Sequence, residues 1–264
     1  MNRIEAKFKE LKKRKKTALI PFITAGDPNL KTTKELVLEM ERRGADIIEL
    51  GVPFSDPIAD GPTIQKADIR SLKHKTSLND TLKLVKDLRK KTEVPIVLMT
   101  YYNLLHNYGI ERFVTQARRS GVDGVIAADL PIEEASELKK YARRSNLNTI
   151  FLASPTSSPE RLKLIAKETR GFIYYVSLTG VTGTREELAE GLVSSLRRLK
   201  RLTKVPIAVG FGISKPEHIR KIRRYANGVV VGSAIVSVIE KNPESKDLVK
   251  KVGDFVERLA QACY

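Results

Sequence analysis

Eight short apolar runs, each followed by an amphipathic helical pattern, organise this chain from end to end. They cover residues 18–23, 46–51, 95–101, 124–128, 149–153, 172–177, 206–210 and 228–232. Nearly continuous apolar runs of this length are what parallel strands buried on both faces require. Between them, Thr33, Leu36, Val37 and Met40 recur at i, i+3, i+4 and i+7, and Leu78, Leu82, Val85 and Leu88 mark a second helical face. Ser158-Pro159 reads as an N-cap followed by a first-turn proline, and Ser214-Lys-Pro-Glu217 as a capping box. Eight such units in 264 residues predict an α/β fold, a (β/α)8 TIM barrel with an extra N-terminal helix. A doubly wound sheet is disfavoured because Thr24-Ala-Gly-Asp-Pro28 stands where Gly-x-Gly-x-x-Gly would follow the first strand. The leading helix, with Ile4, Phe8 and Leu11 on one face, is expected to plug the bottom of the barrel and leave its lysines in solvent. No linker or change of composition interrupts the pattern, so residues 1–264 read as a single barrel domain.

Several function classes fall away early. Cys263 is the one cysteine, so an intramolecular disulfide and a cysteine-based zinc site are excluded and a reducing, cytoplasmic setting is expected. The N-terminus is charged from the outset and has no apolar signal region. The most apolar stretch, 228–239, is too short to span a bilayer. His74, His106 and His218 have no metal-ligand spacing, and no metal site is expected. The net charge of +17 invites anionic partners, but it is read as a heavily charged surface of the kind common in thermophile proteins. A nucleic-acid partner is not expected from it.

In a barrel of this kind the chemistry lies at the C-terminal ends of the strands. Three places there carry polar groups. Glu49 sits in Asp46-Ile-Ile-Glu-Leu-Gly51, with Ile47 and Glu49 on one face and Ile48 and Leu50 on the other. A carboxylate in an apolar strand needs either a cationic partner or a chemical role, and burial would raise its pKa towards neutrality. The loop Pro53-Phe-Ser-Asp-Pro-Ile-Ala-Asp-Gly-Pro62 brings Asp56 and Asp60, either as turn residues or as a second carboxylate opposite Glu49. Gly210-Phe-Gly-Ile-Ser214 and Gly232-Ser-Ala234 follow the last two strands, where phosphate sites of such barrels form. The Gly- and Thr-rich stretch 178–188 reads as a lid or as a solvent loop.

Glu49-Leu-Gly-Val-Pro-Phe-Ser-Asp-Pro-Ile-Ala-Asp-Gly-Pro-Thr-Ile-Gln65 closely resembles the signature of the tryptophan synthase alpha chain family. Pro21-Phe-Ile-Thr-Ala-Gly-Asp-Pro28, Asp129-Leu-Pro131, Thr179-Gly-Val-Thr-Gly183, Gly210-Phe-Gly-Ile-Ser214 and Val231-Gly-Ser-Ala-Ile-Val236 extend the resemblance over nearly the whole chain. It implies cleavage of indole-3-glycerol phosphate to indole and glyceraldehyde 3-phosphate, with no metal and no organic cofactor in this chain. It also implies a beta-chain partner that carries pyridoxal phosphate, in an alpha2-beta2 assembly. By the same resemblance Glu49 is the general acid/base and Asp60 the carboxylate that bonds the indole N–H. Gly183, Gly212, Gly232 and Ser233, adjoined by Phe211, match positions around the phosphate. Phe22, Tyr101, Asp129 and Tyr174 match the rest of the pocket, Thr182 the lid threonine, and Asp56 and Pro57 the loop facing the beta chain. The departures, Ala127-Ala128 before Asp129 and Leu178 in the lid, leave the two carboxylates untouched. A non-catalytic member of the family and a related phosphate-binding barrel remain as other readings, with a nucleic-acid-binding role, suggested by the charge, third.

Overall fold

The computed structural model describes residues 1–176, 185–210 and 212–264. Helix α1 (Arg3–Lys13) comes first, then β1 (Ala18–Thr24), α2 (Leu30–Arg42), β2 (Ile48–Gly51), α3 (Pro62–Lys73) and α4 (Leu78–Leu88). The middle of the chain continues with β3 (Ile96–Thr100), α5 (Tyr102–Tyr108), α6 (Ile110–Ser120), β4 (Gly124–Ala127), α7 (Ser136–Arg144), β5 (Asn148–Thr149) and β6 (Leu152–Ala153). It ends with α8 (Pro159–Glu168), β7 (Ile173–Val176), α9 (Arg185–Leu202), β8 (Ile207–Gly210), α10 (Pro216–Ile222), β9 (Gly228–Val231), α11 (Ser233–Glu240) and α12 (Leu248–Ala260).

The strand pairings are parallel, in the order β5-β4-β3-β2-β1-β9-β8-β7-β6. The two ends of that order are one stretch of chain. Ile150 N–H donates to Val125 O on one side, and Tyr174 N–H donates to Phe151 O on the other. The run expected as a single fifth strand, 149–153, is therefore broken at Ile150–Phe151. It hands its pairing from β4 to β7 and closes the barrel, which needs such a stagger between tilted strands.

The alternation expected in the strands sorts side chains into two layers. In β1, Leu19 and Ile23 pack outward against the helices, while Ile20 and Phe22 enter the barrel. Ile48 and Leu50 of β2 face outward and Ile47, just before the strand, faces inward, so the face that Glu49 is expected to share with Ile47 is the one inside the barrel. The predicted apolar faces of α2 and α4 are buried. Ser158 caps α8 by accepting from Arg161 N–H, as predicted. The capping box at 214–217 does not form. Pro216 takes the first helical position, so Lys215 becomes the N-cap without a side-chain bond, and Glu217 falls one residue short of the box position.

Helix α1 plugs the N-terminal end of the barrel. Ile4, Phe8 and Leu11 are buried in the interior cluster, and Phe8 packs on Phe172 with ring centroids 5.8 Å apart. Each contributes about 1.5–3 kcal/mol of apolar burial. Asp123, at the entry to β4, ties this end together. Its carboxylate accepts from Arg3 at 3.1 Å, from Arg89 at 2.8 Å and from Ile96 N–H at 3.0 Å. Replacing Asp123 with Ala leaves the mostly buried Arg89 without its counter-charge. We expect a loss of about 3–5 kcal/mol, read as a lower urea midpoint at unchanged slope. Among the described residues, no helix is long and apolar enough to cross a membrane.

Candidate active site

At the opposite end, the strand C-termini surround a cavity of about 390 Å³. Glu49 reaches it from β2. Its register partner on β1 is Phe22, and a side chain at Gly51 would meet the Phe22 ring at 2.6 Å, so glycine there leaves Phe22 its place. Glu49 is 0% exposed, and neither carboxyl oxygen has a hydrogen-bond partner among the described residues. Among the described residues, therefore, no Lys or Arg pairs with it, as the structural alternative would require. Burial, and secondarily the charge of Asp60, pushes the Glu49 carboxyl up to about 8. At neutral pH this group holds a proton that it can give and recover.

Asp60 comes from the loop before α3 and faces a different environment. Tyr101 O–H donates to its Oδ2 at 2.6 Å, while the same hydroxyl accepts from Ala59 N–H at 3.1 Å. Phe54 stacks on Tyr101 at 5.0 Å, and Gln65 Nε2 donates to Asp60 O at 2.8 Å, which pins the loop. Burial raises the Asp60 carboxyl, and the Tyr101 hydroxyl opposes that rise. Asp68, one turn beyond Ile64 on α3, is pushed up to about 8 by burial and then by Asp60. Asp60 therefore has a strong donor that Glu49 lacks.

Tyr174 stands across the cavity from β7. Gly210 on the neighbouring strand makes room for it, since a Cβ there would lie 2.8 Å from both the ring and its hydroxyl. Burial and the charges of Glu49 and Asp60 raise the Tyr174 phenol, so it stays protonated. The far wall is formed by Gly212, with φ of +52°, by Ser214, and by Gly232 and Ser233 at the N-terminus of α11. Free backbone N–H groups at a helix start suit an oxyanion.

The structure thus gathers Phe22, Glu49, Asp60, Tyr174, Gly212, Gly232 and Ser233 around one cavity, with Tyr101 acting through Asp60. Asp129 does not line it. Its carboxylate accepts from Tyr102 N–H at 2.7 Å and borders an adjacent cavity of about 150 Å³. Asp56 is exposed and Pro57 half-buried on their loop, beside Ile58, which is 82% exposed. Thr182, Gly183, Phe211 and most of the proposed lid lie outside the described residues. Ile64, Met99, Ile126 and Leu152 form apolar wall that the sequence reading missed. Extending the Glu49 alternation across the sheet register, which sets Gly51 beside Met99, was the available signal for Met99.

Comparison with known proteins places the chain in a family with the same overall fold. Residues 8–263 match the family model described as tryptophan synthase alpha chain. The tryptophan synthase alpha chain of Geotalea daltonii is 51% identical over 259 residues, covering 98% of each chain. A crystal structure of tryptophan synthase subunit alpha from Legionella pneumophila superposes with a TM-score of 0.93 at 39% identity, covering 100% of this chain and 98% of that one. A chain of the Pyrococcus furiosus tryptophan synthase a2b2 complex gives a TM-score of 0.87 at 44% identity, covering 93% of this chain and 99% of that one. With a family model matching residues 8–263 and relatives about half identical over nearly their whole length, this chain belongs to the tryptophan synthase alpha chain family.

Proposed function

We propose that Glu49 and Asp60 carry out the family's reaction here, the retro-aldol cleavage of indole-3-glycerol phosphate to indole and D-glyceraldehyde 3-phosphate on the route to L-tryptophan. The observation that carries this reading is the unequal setting of two neighbouring carboxyl groups. Glu49 is buried without a donor and protonated, whereas Asp60 has the Tyr101 hydroxyl to favour its charged form.

In this mechanism Glu49 gives its proton to indole C3, which converts the ring to an indoleninium with an electron-accepting C=N bond. Asp60, ionised, accepts a hydrogen bond from the indole N–H and stabilises the positive charge that builds there. The Glu49 carboxylate then removes the proton of the C3′ hydroxyl. The C3–C3′ bond breaks, its electron pair returns to the ring, and the oxygen keeps the aldehyde. Glu49 ends protonated, ready for another turn. Phe22, Ile64, Met99 and Leu152 supply apolar wall against the indole, and Gly212, Gly232 and Ser233 take the phosphate. Acid/base residues are sufficient for this chemistry, so the reading gives the chain no metal and no organic cofactor of its own.

We further infer that the loop carrying Asp56, Pro57 and exposed Ile58 meets a beta chain that supplies pyridoxal phosphate, in an alpha2-beta2 assembly. The test is indole release from indole-3-glycerol phosphate by the purified chain, with and without a beta chain. Slow release alone and faster release with the partner support the reading; no release in either condition refutes it. Gly210→Ala supplies a second check. Its added methyl displaces Tyr174 into the cavity, so KM should rise roughly tenfold with a smaller effect on kcat.

A further inference from the structure

The positive charge of this chain is not spread over its surface. Each helix that returns between strands ends at the N-terminal end of the barrel, where α1 lies. Backbone bonds such as Asp46 N–H to Leu19 O, Asp123 N–H to Ile96 O and Ala18 N–H to Asn227 O join the strand entries there. The segments at this end are 1–17, 41–47, 88–95, 118–123, 143–148, 167–172, 200–206 and 221–227. Together they hold 25 of the 48 Lys and Arg but only 7 of the 31 Asp and Glu. They therefore account for the entire +17 excess, and the rest of the molecule is nearly neutral.

The few acids at this end are largely committed. Glu10 pairs with Lys7 and Arg14, Asp46 with Lys16, Glu93 with Arg3, Asp123 with Arg3 and Arg89, and Glu168 with Arg143. Lys12, Lys13, Lys15, Arg119, Lys204 and Arg224 are exposed, with no ion pair recorded among the described residues. Compensation of helix dipoles explains basic residues in last turns. It does not explain Lys9 in the middle of α1, nor Lys15, Lys204 and Arg224 beyond helix ends. Gathering so much like charge on one face costs stability through self-repulsion, which a polyanion would relieve.

We propose that this basal face binds the phosphate backbone of duplex nucleic acid without regard to sequence. The surface chemistry favours a duplex over the alternatives. Single strands are held by stacking on exposed aromatic rings, and Tyr264 is the one large aromatic exposed among the described residues. An anionic membrane needs an apolar face to insert, and among the described residues the basal segments expose two isolated apolar side chains, Met1 and Leu202, beside that ring. The face lies at the end of the barrel opposite the Glu49 cavity, so a bound duplex would leave substrate entry open. The proposal does not depend on the lyase reading.

Binding of a labelled random-sequence DNA duplex, followed by anisotropy from about 50 to 200 mM salt, tests it. The chain should bind at the lower salt and lose affinity steeply as salt rises. The triple variant Lys12→Glu, Lys13→Glu, Lys15→Glu should weaken binding at least tenfold and reduce the salt slope by about three. The triple Lys31→Glu, Lys163→Glu, Lys246→Glu makes the same charge change at exposed positions away from the base and should alter binding less than about threefold. Thermal melts of both triples, independent of any activity, show that each is folded. Equal losses in the two triples would mean that net charge alone attracts the duplex and would overturn the proposal. Absence of binding at low salt, or binding to anionic vesicles or inorganic polyphosphate but not to duplex, would overturn it too.

Discussion

Glu49→Gln should abolish indole release while making the protein more stable. The amide cannot shuttle a proton between indole C3 and the C3′ hydroxyl, and loss of a general acid/base costs about 10²–10⁴ in rate. Because the proposed mechanism gives Glu49 both transfers, the upper end of that range or beyond is expected in kcat, with phosphate binding retained. Turnover within about tenfold of the parent would remove Glu49 from the mechanism. The stability change follows from the same burial. The folded-state pKa is about 8, against an ordinary 4.5. Between those values the folded chain keeps a proton that the unfolded chain has released, so Glu49 makes stability fall as pH rises through that window. Glutamine removes this dependence. The variant should gain little at pH 5 and about 4 kcal/mol by pH 8, measured by urea unfolding at both. A difference that does not grow with pH would show that the carboxyl is not held protonated by its surroundings.

Asp60→Asn should lower kcat by about 10²-fold, with KM changed much less. An amide can still accept the indole N–H bond, so ground-state binding survives. What it lacks is the negative charge opposite the ring at the moment the ring becomes positive, and in a water-poor cavity that charge is worth roughly 3 kcal/mol. The Tyr101 hydroxyl, which favours the ionised carboxylate, gains nothing comparable from a neutral amide. Steady-state kinetics with added beta chain decides the matter. A KM-only effect would make Asp60 a loop anchor, a role its bonds to Tyr101 and Gln65 could also serve.

Much of this was legible along the chain. Apolar runs of five to seven residues with helical periods between them specify buried parallel strands, because that arrangement satisfies a backbone whose side chains are apolar on both faces. That Glu49 shares a face with Ile47 followed from period-two alternation, and the plugging face of α1 from three residues at helical spacing; that the Glu49 face is the inner one was decided by the closed barrel. Strand ends and caps were read less well. The break at Ile150–Phe151 is not encoded by local pattern and is demanded by closure of the ring. The cap at Lys215 is local in origin, because Pro216 takes the first helical position and overrides the Ser214 box.

The site shows the same division. Sequence order brought out Glu49 and Asp60 as chemically unusual residues, but not that one would be left without donors while the other received a tyrosine hydroxyl. Tyr101 and Asp60 are 41 residues apart, and only the loop over the strand ends joins them. Met99, Ile126 and Leu152 are ordinary apolar strand residues until the barrel curves them around one cavity. The charge follows the same logic. Its total of +17 belongs to the composition, but its concentration on one face arises because every βα unit returns its helix to the same end of the barrel. Local pattern determines which residues are buried and which elements they form. Three-dimensional closure determines which distant groups meet, and with that the pKa of Glu49, the partner of Asp60 and the electrostatic face of the molecule.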